Sequence, residues 1–355
     1  MNILFLTNRT FLPQSIGGAE WSTHHLCLQL RDLGHDVAVL CSLHPKGRLA
    51  FWNRIQRKVF RRRFPRDRGL GYRVFRSWDP LASLDGLATL LRPDIAVVIG
   101  APPDAVSLAM KCLTLKLRTV YQVRDVVFQK HGDLTKIKNE AHFIANSQFT
   151  AERLRDQFGI SSDIIIPTII PEQVQTDGHG SKILLINPDP DKGGQLLLQL
   201  ARARSKYKYL IQESWKGNAQ LIEAKQIAMS LGNVEWRAPT QDIREAFREA
   251  RILIVPSRVE EAWGRVVSEA QVSGIPVIAS NIGGLPESVG PGGLLIDPSS
   301  GIERWTEAVD SLMLDEQRWN AVSEAARLHA RRPEMDVRYQ ARQVQAVFDE
   351  FVKTP

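Results

Sequence analysis

The sequence predicts an α/β protein whose parallel sheets are built from repeated strand–loop–helix–strand units, and three observations carry this prediction. Residues 252–255 form a short apolar run that ends at Pro256. A polar loop and a segment of helical spacing lead from there to Gly274, and a second buried run follows at 276–279. A similar unit starts at residues 2–7. The chain has 355 residues, which favours two domains over one.

The remaining elements follow from the same patterns. Apolar runs predict strands at 37–40, 95–99, 119–123, 143–145, 182–186, 207–212 and 234–236. Helical spacing and end signals such as Ser147 and Gly34 predict helices at 19–33, 149–158, 195–203, 242–250, 264–273, 305–313, 317–330 and 337–353. We expect one domain over 1–170, a second over 171–335, and a terminal helix within 336–355.

Composition excludes several classes of protein. The hydrophobic content of 43% suits ordinary globular cores. The three cysteines, Cys27, Cys41 and Cys112, form no CxxC pair, which argues against a disulfide framework and fits a reducing compartment. No apolar run approaches the roughly 20 residues of a membrane-spanning helix. The N-terminus has the pattern of a first strand and not of a signal peptide. We therefore expect a cytoplasmic protein.

Positive charge is concentrated in one segment. Residues 46–76 contain twelve Lys or Arg and one acid, Asp67, while the whole chain has a formal net charge of +7. The rest of the chain is therefore slightly acidic, and a nucleic-acid partner is not expected.

Two glutamates mark the candidate site. Glu261 falls in the loop after the strand at 252–255, and Glu269 falls in the first turns of the next helix, with the N–H groups of Gly264, Arg265 and Val266 between them. A helix N-terminus attracts phosphate, and carboxylates accept hydrogen bonds from sugar hydroxyls. This pattern suits a nucleotide sugar. A solvated helix with two surface glutamates is the alternative.

The stretch from Glu261 to Glu269, followed by 274–280 and by Gly283-Gly284-Leu-Pro-Glu287, closely resembles the signature of the family 4 retaining glycosyltransferases. The resemblance implies the GT-B fold, in which two Rossmann-like domains with parallel sheets face each other across a cleft, and the last helix packs back on the N-terminal domain. It also implies retaining, metal-independent transfer from a nucleotide-diphosphate sugar, with no other cofactor. Glu261 would then hold the sugar, Glu269 the ribose, and Trp263 would line the donor site.

Two further segments resemble the family. Gly17-Gly18 stands where the family has a glycine-bearing loop beside the donor, although glycines alone also make simple tight turns. Lys192 of the Lys192-Gly193 pair corresponds to a lysine that contacts the diphosphate, while its alternative is an exposed lysine in a turn.

The sequence departs from the family at two positions. Asn187 replaces a common arginine, and Arg265 or Arg258 could supply the missing charge. Arg124, before Asp125, replaces a histidine that lies near the transferred sugar. Because an arginine cannot act as a general base near neutral pH, we expect Arg124 to contact phosphate or acceptor. The predicted catalytic residues are thus Glu261, Lys192 and Arg124.

No metal site is expected. Asp189-Pro-Asp191 spells the DxD motif of another glycosyltransferase fold, but it lies in a proline-bearing turn that varies in this family. His24, His25, His131 and His142 lack the spacing of metal ligands.

Residues 49–68 predict a basic amphipathic helix that docks on an anionic membrane surface, at the inner face of the membrane. Its apolar face would comprise Leu49, Trp52, Ile55, Val59 and Phe60. The alternatives are a helix that packs on the first domain and a nucleic-acid patch. A membrane position would suit a glycan or lipid-linked acceptor. Two other functions stay open: a catalytically impaired nucleotide-sugar-binding partner protein, and a nucleotide-sugar epimerase, whose family lacks the glutamate motif.

Overall fold

The computed structural model describes residues 1–67, 69–100, 104–177, 180–214, 220–240 and 242–353. Its strands are β1 (Asn2–Thr10), β2 (Asp36–Ser42), β3 (Arg66–Asp67), β4 (Arg73–Ser77), β5 (Ile95–Gly100), β6 (Thr119–Val123), β7 (His142–Ala145), β8 (Asp163–Ile164), β9 (Lys182–Ile186), β10 (Tyr209–Gln212), β11 (Val234–Arg237), β12 (Ala250–Val255), β13 (Val277–Ser280) and β14 (Gly293–Ile296).

Helices follow most of these strands. They are α1 (Gly18–Asp32), α2 (Arg48–Lys58), α3 (Pro80–Leu91), α4 (Ala105–Thr114), α5 (Gln148–Phe158), α6 (Pro171–Val174), α7 (Gly194–Ala203), α8 (Gln220–Ser230), α9 (Arg244–Glu249), α10 (Arg265–Val272), α11 (Leu285–Val289), α12 (Ile302–Met313), α13 (Glu316–Ala330) and α14 (Val337–Lys353). The chain divides into two compact units, Met1–Thr168 with the residues from Val337 onward, and Ile169–Asp336.

The first unit is a sheet covered by helices on both faces. Its strand order is β3-β4-β2-β1-β5-β6-β7-β8, and β3, which pairs antiparallel with β4, is the exception to parallel pairing among the described strands. Alternate residues of β1 point to opposite faces. Leu4 and Leu6 pack with residues of α3, α4 and α5, while Ile3 and Phe5 pack with residues of α1 and α14. The sheet is therefore buried on both sides.

The terminal helix α14 belongs to this first unit. Ala341, Val344 and Phe348, which are spaced to share one helical face, lie in the same core cluster as Ile3 and Phe5. The side chain of Gln340 donates to the carbonyl of Ile166 at 2.6 Å, so a polar contact accompanies the apolar packing.

The second unit is a six-stranded parallel sheet with the order β11-β10-β9-β12-β13-β14. Ile183 and Leu185 of β9 and Ile252 and Ile254 of β12 turn towards α7 and α12, where Trp305 is 2% exposed. β10 lies on one side of β9 and β12 on the other, so the strand order reverses between β9 and β12. Ligands of open parallel sheets bind at the carboxyl ends of strands beside such a point.

The basic segment forms a shorter helix than predicted, and the residues of its predicted apolar face differ in exposure. α2 ends at Lys58, and Arg68 lies outside the described residues. Ala50 and Asn53 are the buried residues of α2, and the Asn53 amide donates to the carbonyl of Arg76 at 3.0 Å. Leu49 and Ile55 are half-buried beside them. The exposed apolar residues of this region are Phe51, Trp52, Val59 and Phe60.

No helix in the described part of the chain has both the length and the apolar character to cross a membrane.

Candidate functional site

Three loops meet at one edge of the second sheet. They follow β9, β12 and β13, which are neighbours in the sheet and run in the same direction. The loops contain Asn187 to Gly193, Pro256 to Gly264, and Asn281 to Gly284. This arrangement brings together Lys192 and Glu261, which the sequence predicts as site residues, and the Gly283-Gly284 pair of the stretch that resembles the family signature.

An ion pair joins the first two loops. Nζ of Lys192 donates to Oε1 of Glu261 at 2.6 Å, and the hydroxyl of Ser257 donates to the same oxygen at 2.6 Å. The Glu261 side chain is 17% exposed and that of Lys192 33%. Two charge-assisted hydrogen bonds therefore fix a carboxylate that solvent can still reach. Ser257, which directly follows Pro256 at the strand end, is a site residue that sequence reasoning missed.

The backbone of Glu261 is held by the glycine pair after β13. The N–H of Gly284 donates to the carbonyl of Glu261 at 2.7 Å. Gly283 has φ +62°, and a Cβ at this position would lie 2.5 Å from the carbonyl oxygen of Glu261. Only glycine permits both this conformation and this approach. The Gly283-Gly284 pair thus supports the loop that presents Glu261.

The second glutamate is also paired. Nε of Arg265, at the start of α10, donates to Oε1 of Glu269 at 2.7 Å, and both side chains are 15% exposed. Gly264, with φ +87°, precedes the helix as its N-cap, and Val266 lies half-buried in its first turn. Each predicted glutamate thus has its own cation.

Trp263 contributes to packing inside the second unit. The indole is 4% exposed, and its Nε1–H donates to the hydroxyl of Ser268 at 3.1 Å. The guanidinium of Arg332 lies 5.7 Å from the centre of the indole ring. Burial lowers the pKa of Arg332. The sequence alone could not separate a packing tryptophan from one that faces a ligand.

The aspartates of the DxD stretch shape the loop after β9. Oδ1 of Asp189 accepts the N–H of Asp191 at 3.0 Å and caps a 3-10 helix, Pro190–Lys192, that carries Lys192. The carbonyl of Asp191 accepts the N–H of Arg258 at 2.8 Å. Arg258 is exposed, whereas Arg265 forms an ion pair with Glu269. Within the described residues, no group of three or more His, Cys, Asp or Glu is arranged to hold a metal ion.

The predicted residues of the first unit lie near two strand ends of its sheet. Gly17 is the N-cap of α1 and Gly18 its first residue. Arg124 directly follows β6, is half-buried, and donates through Nη2 to the Gln122 side chain at 2.8 Å. The loops after β1 and β6 therefore carry these residues.

Asp125, which follows Arg124, is fixed by a buried chain of hydrogen bonds that sequence reasoning missed. Oδ1 of Asp125 lies 2.8 Å from Nε2 of His131, and Nδ1 of His131 lies 3.0 Å from the hydroxyl of Tyr121. His131 and Tyr121 are both fully buried. Burial, and then the charge of Asp125, raise the pKa of Tyr121, so the phenol stays neutral.

Comparisons with known proteins agree with this architecture. A family model described as Glycosyltransferase Family 4 matches residues 16–172, and one described as Glycosyl transferases group 1 matches residues 184–329. Fold and site together define an α/β protein of the GT-B class, which confirms the predicted fold class. The chain belongs to family 4 of the glycosyltransferases, within group 1.

Curated relatives match part of the chain. The D-inositol 3-phosphate glycosyltransferase of Corynebacterium kroppenstedtii is 36% identical over 157 residues, which cover 40% of this chain and 34% of the relative. The protein of the same name from Segniliparus rotundus is 32% identical over 155 residues, with the same coverage of both chains. The matched stretch thus spans about a third of the length of these relatives.

Solved structures match over nearly the whole chain. A glycosyltransferase from Rickettsia africae has a TM-score of 0.76 and 18% identity, and the match covers 100% of this chain and 99% of that one. HepE of Anabaena, in complex with UDP-glucose, has a TM-score of 0.77 and 19% identity, with 99% and 100% covered. At such low identity, these matches establish the fold alone.

Proposed function

We propose that the protein is a glycosyltransferase that moves a sugar from a nucleoside-diphosphate sugar to an acceptor. The observation that carries this proposal is the Lys192–Glu261 pair, with Glu269 on the helix that starts a few residues later. Family membership supports it, as does HepE, which is similar in fold and was solved with UDP-glucose. These observations favour a uridine nucleotide as the first donor to test.

Each residue then has a role set by its chemistry. The ammonium of Lys192 neutralises charge on the departing diphosphate, where the positive end of the α10 dipole also acts. Glu261 accepts hydrogen bonds from hydroxyls of the transferred sugar, and Glu269 accepts them from the ribose. Because Lys192 and Glu261 bond to each other, the incoming donor replaces this ion pair with two complementary contacts of its own.

Retention of configuration and independence from metal ions belong to the same proposal. Retention rests on the resemblance of the 261–287 stretch to the retaining family 4 enzymes. Metal independence rests on Lys192, whose ammonium group can neutralise phosphate charge as a divalent cation would. No cofactor beyond the donor substrate is invoked.

Arg124 is proposed to contact phosphate or acceptor from the first unit. Its guanidinium is held by Gln122 at the carboxyl end of β6, which is the edge where parallel sheets bind ligands. The charge is permanent, so Arg124 binds anions and does not move protons.

The acceptor is proposed to be a glycan or lipid-linked glycan, presented at an anionic membrane surface on the cytoplasmic side. Phe51, Trp52, Val59 and Phe60 are each more than half exposed, and the same segment carries the exposed cations Arg54, Arg57, Lys58 and Arg61–Arg63. Exposed aromatic and aliphatic side chains among cations suit an interfacial surface. We call residues 48–63 the basic apolar surface.

The experiment is a transfer and hydrolysis assay with a panel of UDP-, GDP- and ADP-sugars, preceded by thermal-shift screening. If the protein is a glycosyltransferase, one donor is expected to raise its melting temperature and to be cleaved with release of the nucleoside diphosphate. A donor that raises the melting temperature but is not cleaved, whichever glycan or lipid-linked acceptor is added, would instead indicate the nucleotide-sugar-binding partner. Conversion of the donor into an epimer would indicate the epimerase.

A further inference from the structure

Arg265 and Glu269 form an ion pair that is unusually enclosed for the surface of a helix. Nε of Arg265 donates to Oε1 of Glu269 at 2.7 Å, and both side chains are 15% exposed. In the part of the chain that the structure describes, the side chain of Glu269 has no other hydrogen bond or ion pair. One carboxylate oxygen is therefore held, and Oε2 keeps its accepting capacity.

Helix stability does not account for an arginine at this position. Arg265 is the first residue of α10, where the helix dipole disfavours a positive charge. An arginine four residues before a glutamate is also the less favourable order for a helical ion pair. The pair therefore adds little to the stability of α10, while it restrains the side chain of Glu269.

Restraint matters because a carboxylate can bind two vicinal hydroxyls only in a suitable orientation. A free glutamate side chain loses rotamer entropy when it binds, whereas a glutamate held through Oε1 has already lost it. Glu261 is also held through Oε1 before a donor binds, by Lys192 and Ser257, and Ser257 is the partner that it would keep once Lys192 contacts the diphosphate. Both glutamates of the motif are therefore fixed before any ligand binds.

We propose that Arg265 is a positioning residue that orients Glu269 towards the 2′- and 3′-hydroxyls of a ribose, so that the site selects ribonucleotides over 2′-deoxyribonucleotides. This inference rests on the proposed function, because it assumes a nucleotide at Glu269. In this role Arg265 acts through its guanidinium group, whereas the N-terminal end of α10 is proposed to act on the diphosphate. The exposed Arg258 has no part in orienting Glu269.

Isothermal titration tests the proposal with UDP, GDP and ADP, followed by the 2′-deoxy form of the tightest binder. The wild type is expected to bind the ribonucleotide roughly tenfold more tightly than its 2′-deoxy form, the loss expected for an unmade hydrogen bond to a charged group. In Arg265→Met this ratio is expected to fall below about twofold. Arg265→Lys is expected to restore part of the ratio, because lysine keeps the charge but lacks the planar fork.

For each variant, the affinities for the ribonucleotide and its 2′-deoxy form are measured on the same protein sample. Partial unfolding of the variant therefore affects both measurements equally and leaves their ratio unchanged. Arg304→Met is the matched control, because Arg304 also forms a helical pair, with Glu307, but both side chains are well exposed. The control is expected to keep the wild-type ratio. An unchanged ratio in Arg265→Met, or a wild type that does not discriminate, would overturn the role of Arg265 alone. If none of the three nucleotides binds to the wild type, that result contradicts the proposed function as well as the role of Arg265.

Discussion

Lys192 and Glu261 are 69 residues apart in the sequence, yet Nζ of the lysine lies 2.6 Å from Oε1 of the glutamate. The contact joins the loops after β9 and β12, which are adjacent in the sheet. Each partner is the type of group that a nucleotide sugar needs, a cation for phosphate and a carboxylate for hydroxyls. The two proposed binding groups thus form an ion pair with each other within the folded chain.

The first prediction concerns the energy of this pair. Lys192→Met is expected to lower both stability and diphosphate affinity, because it leaves the half-enclosed Glu261 carboxylate without its cation. Since both groups keep some solvent contact, we expect a stability loss of about 1 kcal/mol, well below that of a fully buried pair. Lys192→Met combined with Glu261→Gln is expected to recover much of that stability. Urea unfolding of the two single variants and the double variant measures the coupling.

If the stability losses of the two single variants simply add up in the double variant, the Lys192–Glu261 ion pair does not stabilise the folded protein. That result would contradict the first prediction.

The second prediction concerns the backbone beneath Glu261. Gly283→Ala is expected to destabilise the protein by more than about 2 kcal/mol, because the new Cβ would meet backbone and the residue must keep φ +62°. Gly232→Ala is the matched control, with φ +67° and no atom within 4 Å of an added Cβ. It is expected to cost only the conformational strain, about 1 kcal/mol. Equal losses in the two variants would show that the approach to Glu261 is not tight.

The third prediction is that activity does not depend on a divalent cation. Donor turnover is expected to persist in excess EDTA, because Lys192 and the amides at the start of α10 supply the positive charge. Assays with and without EDTA, then with added magnesium or manganese, measure this. Complete loss that either metal restores would mean that Asp189 and Asp191 bind a metal ion in the complex.

The fourth prediction concerns Arg124. Arg124→Lys is expected to retain part of the transfer activity and Arg124→Ala almost none, because a permanent charge at the end of β6 is proposed to bind phosphate or acceptor. Arg155→Ala, at an exposed position on α5 in the same unit, is the control. An Arg124→Ala variant with unchanged activity and unfolding midpoint would remove Arg124 from the site.

The fifth prediction concerns the basic apolar surface. Co-sedimentation with anionic liposomes is expected at low salt and is expected to weaken as salt rises. It is expected to fall sharply when Arg61, Arg62 and Arg63 become Glu, since each cation near an anionic leaflet contributes about 1 kcal/mol. Trp52→Ser with Phe60→Ser tests the apolar contribution separately.

The matched control for the membrane experiment reverses three exposed cations of the second unit, Arg202, Lys208 and Arg318. It is expected to bind liposomes as the wild type does. A wild type that stays in the supernatant with anionic liposomes at low salt would contradict the membrane proposal and leave the basic apolar surface to another partner.

Much of the fold could be predicted because its strands are buried on both faces. Continuous apolar runs such as 252–255 and 95–99, which end at proline or glycine, are typical of such strands. Helix α3 was not predicted, although Asp79 caps it and Pro80 is its first residue, which is a common start signal. The predicted apolar face of α2 is exposed only in part, since Leu49 and Ile55 are half-buried. Asn53 is buried through a hydrogen bond to the carbonyl of Arg76 on β4, and helical spacing alone does not indicate such a partner.

The site was predictable as a set of residues but not as a set of contacts. The glutamate motif indicated Glu261 and Glu269 as candidates, and the Lys192-Gly193 pair indicated Lys192. The position of the loops after β9 and β12 at neighbouring strand ends explains why Lys192 and Glu261 meet. The partners Ser257 and Arg265, and the Tyr121–His131–Asp125 chain, depend on side-chain orientations that spacing does not determine. A single sequence therefore indicates which groups are available, while the fold decides which of them are paired.

Glu261 and Glu269 are proposed to divide the recognition of one nucleotide sugar, and titration of a donor and its nucleoside diphosphate tests this division most directly. Glu269→Gln is expected to weaken both ligands by about 1–2 kcal/mol, because both contain the ribose. Glu261→Gln is expected to weaken the nucleotide sugar by a similar amount and the free diphosphate much less. Equal affinity of the wild type and both variants for both ligands would contradict the division.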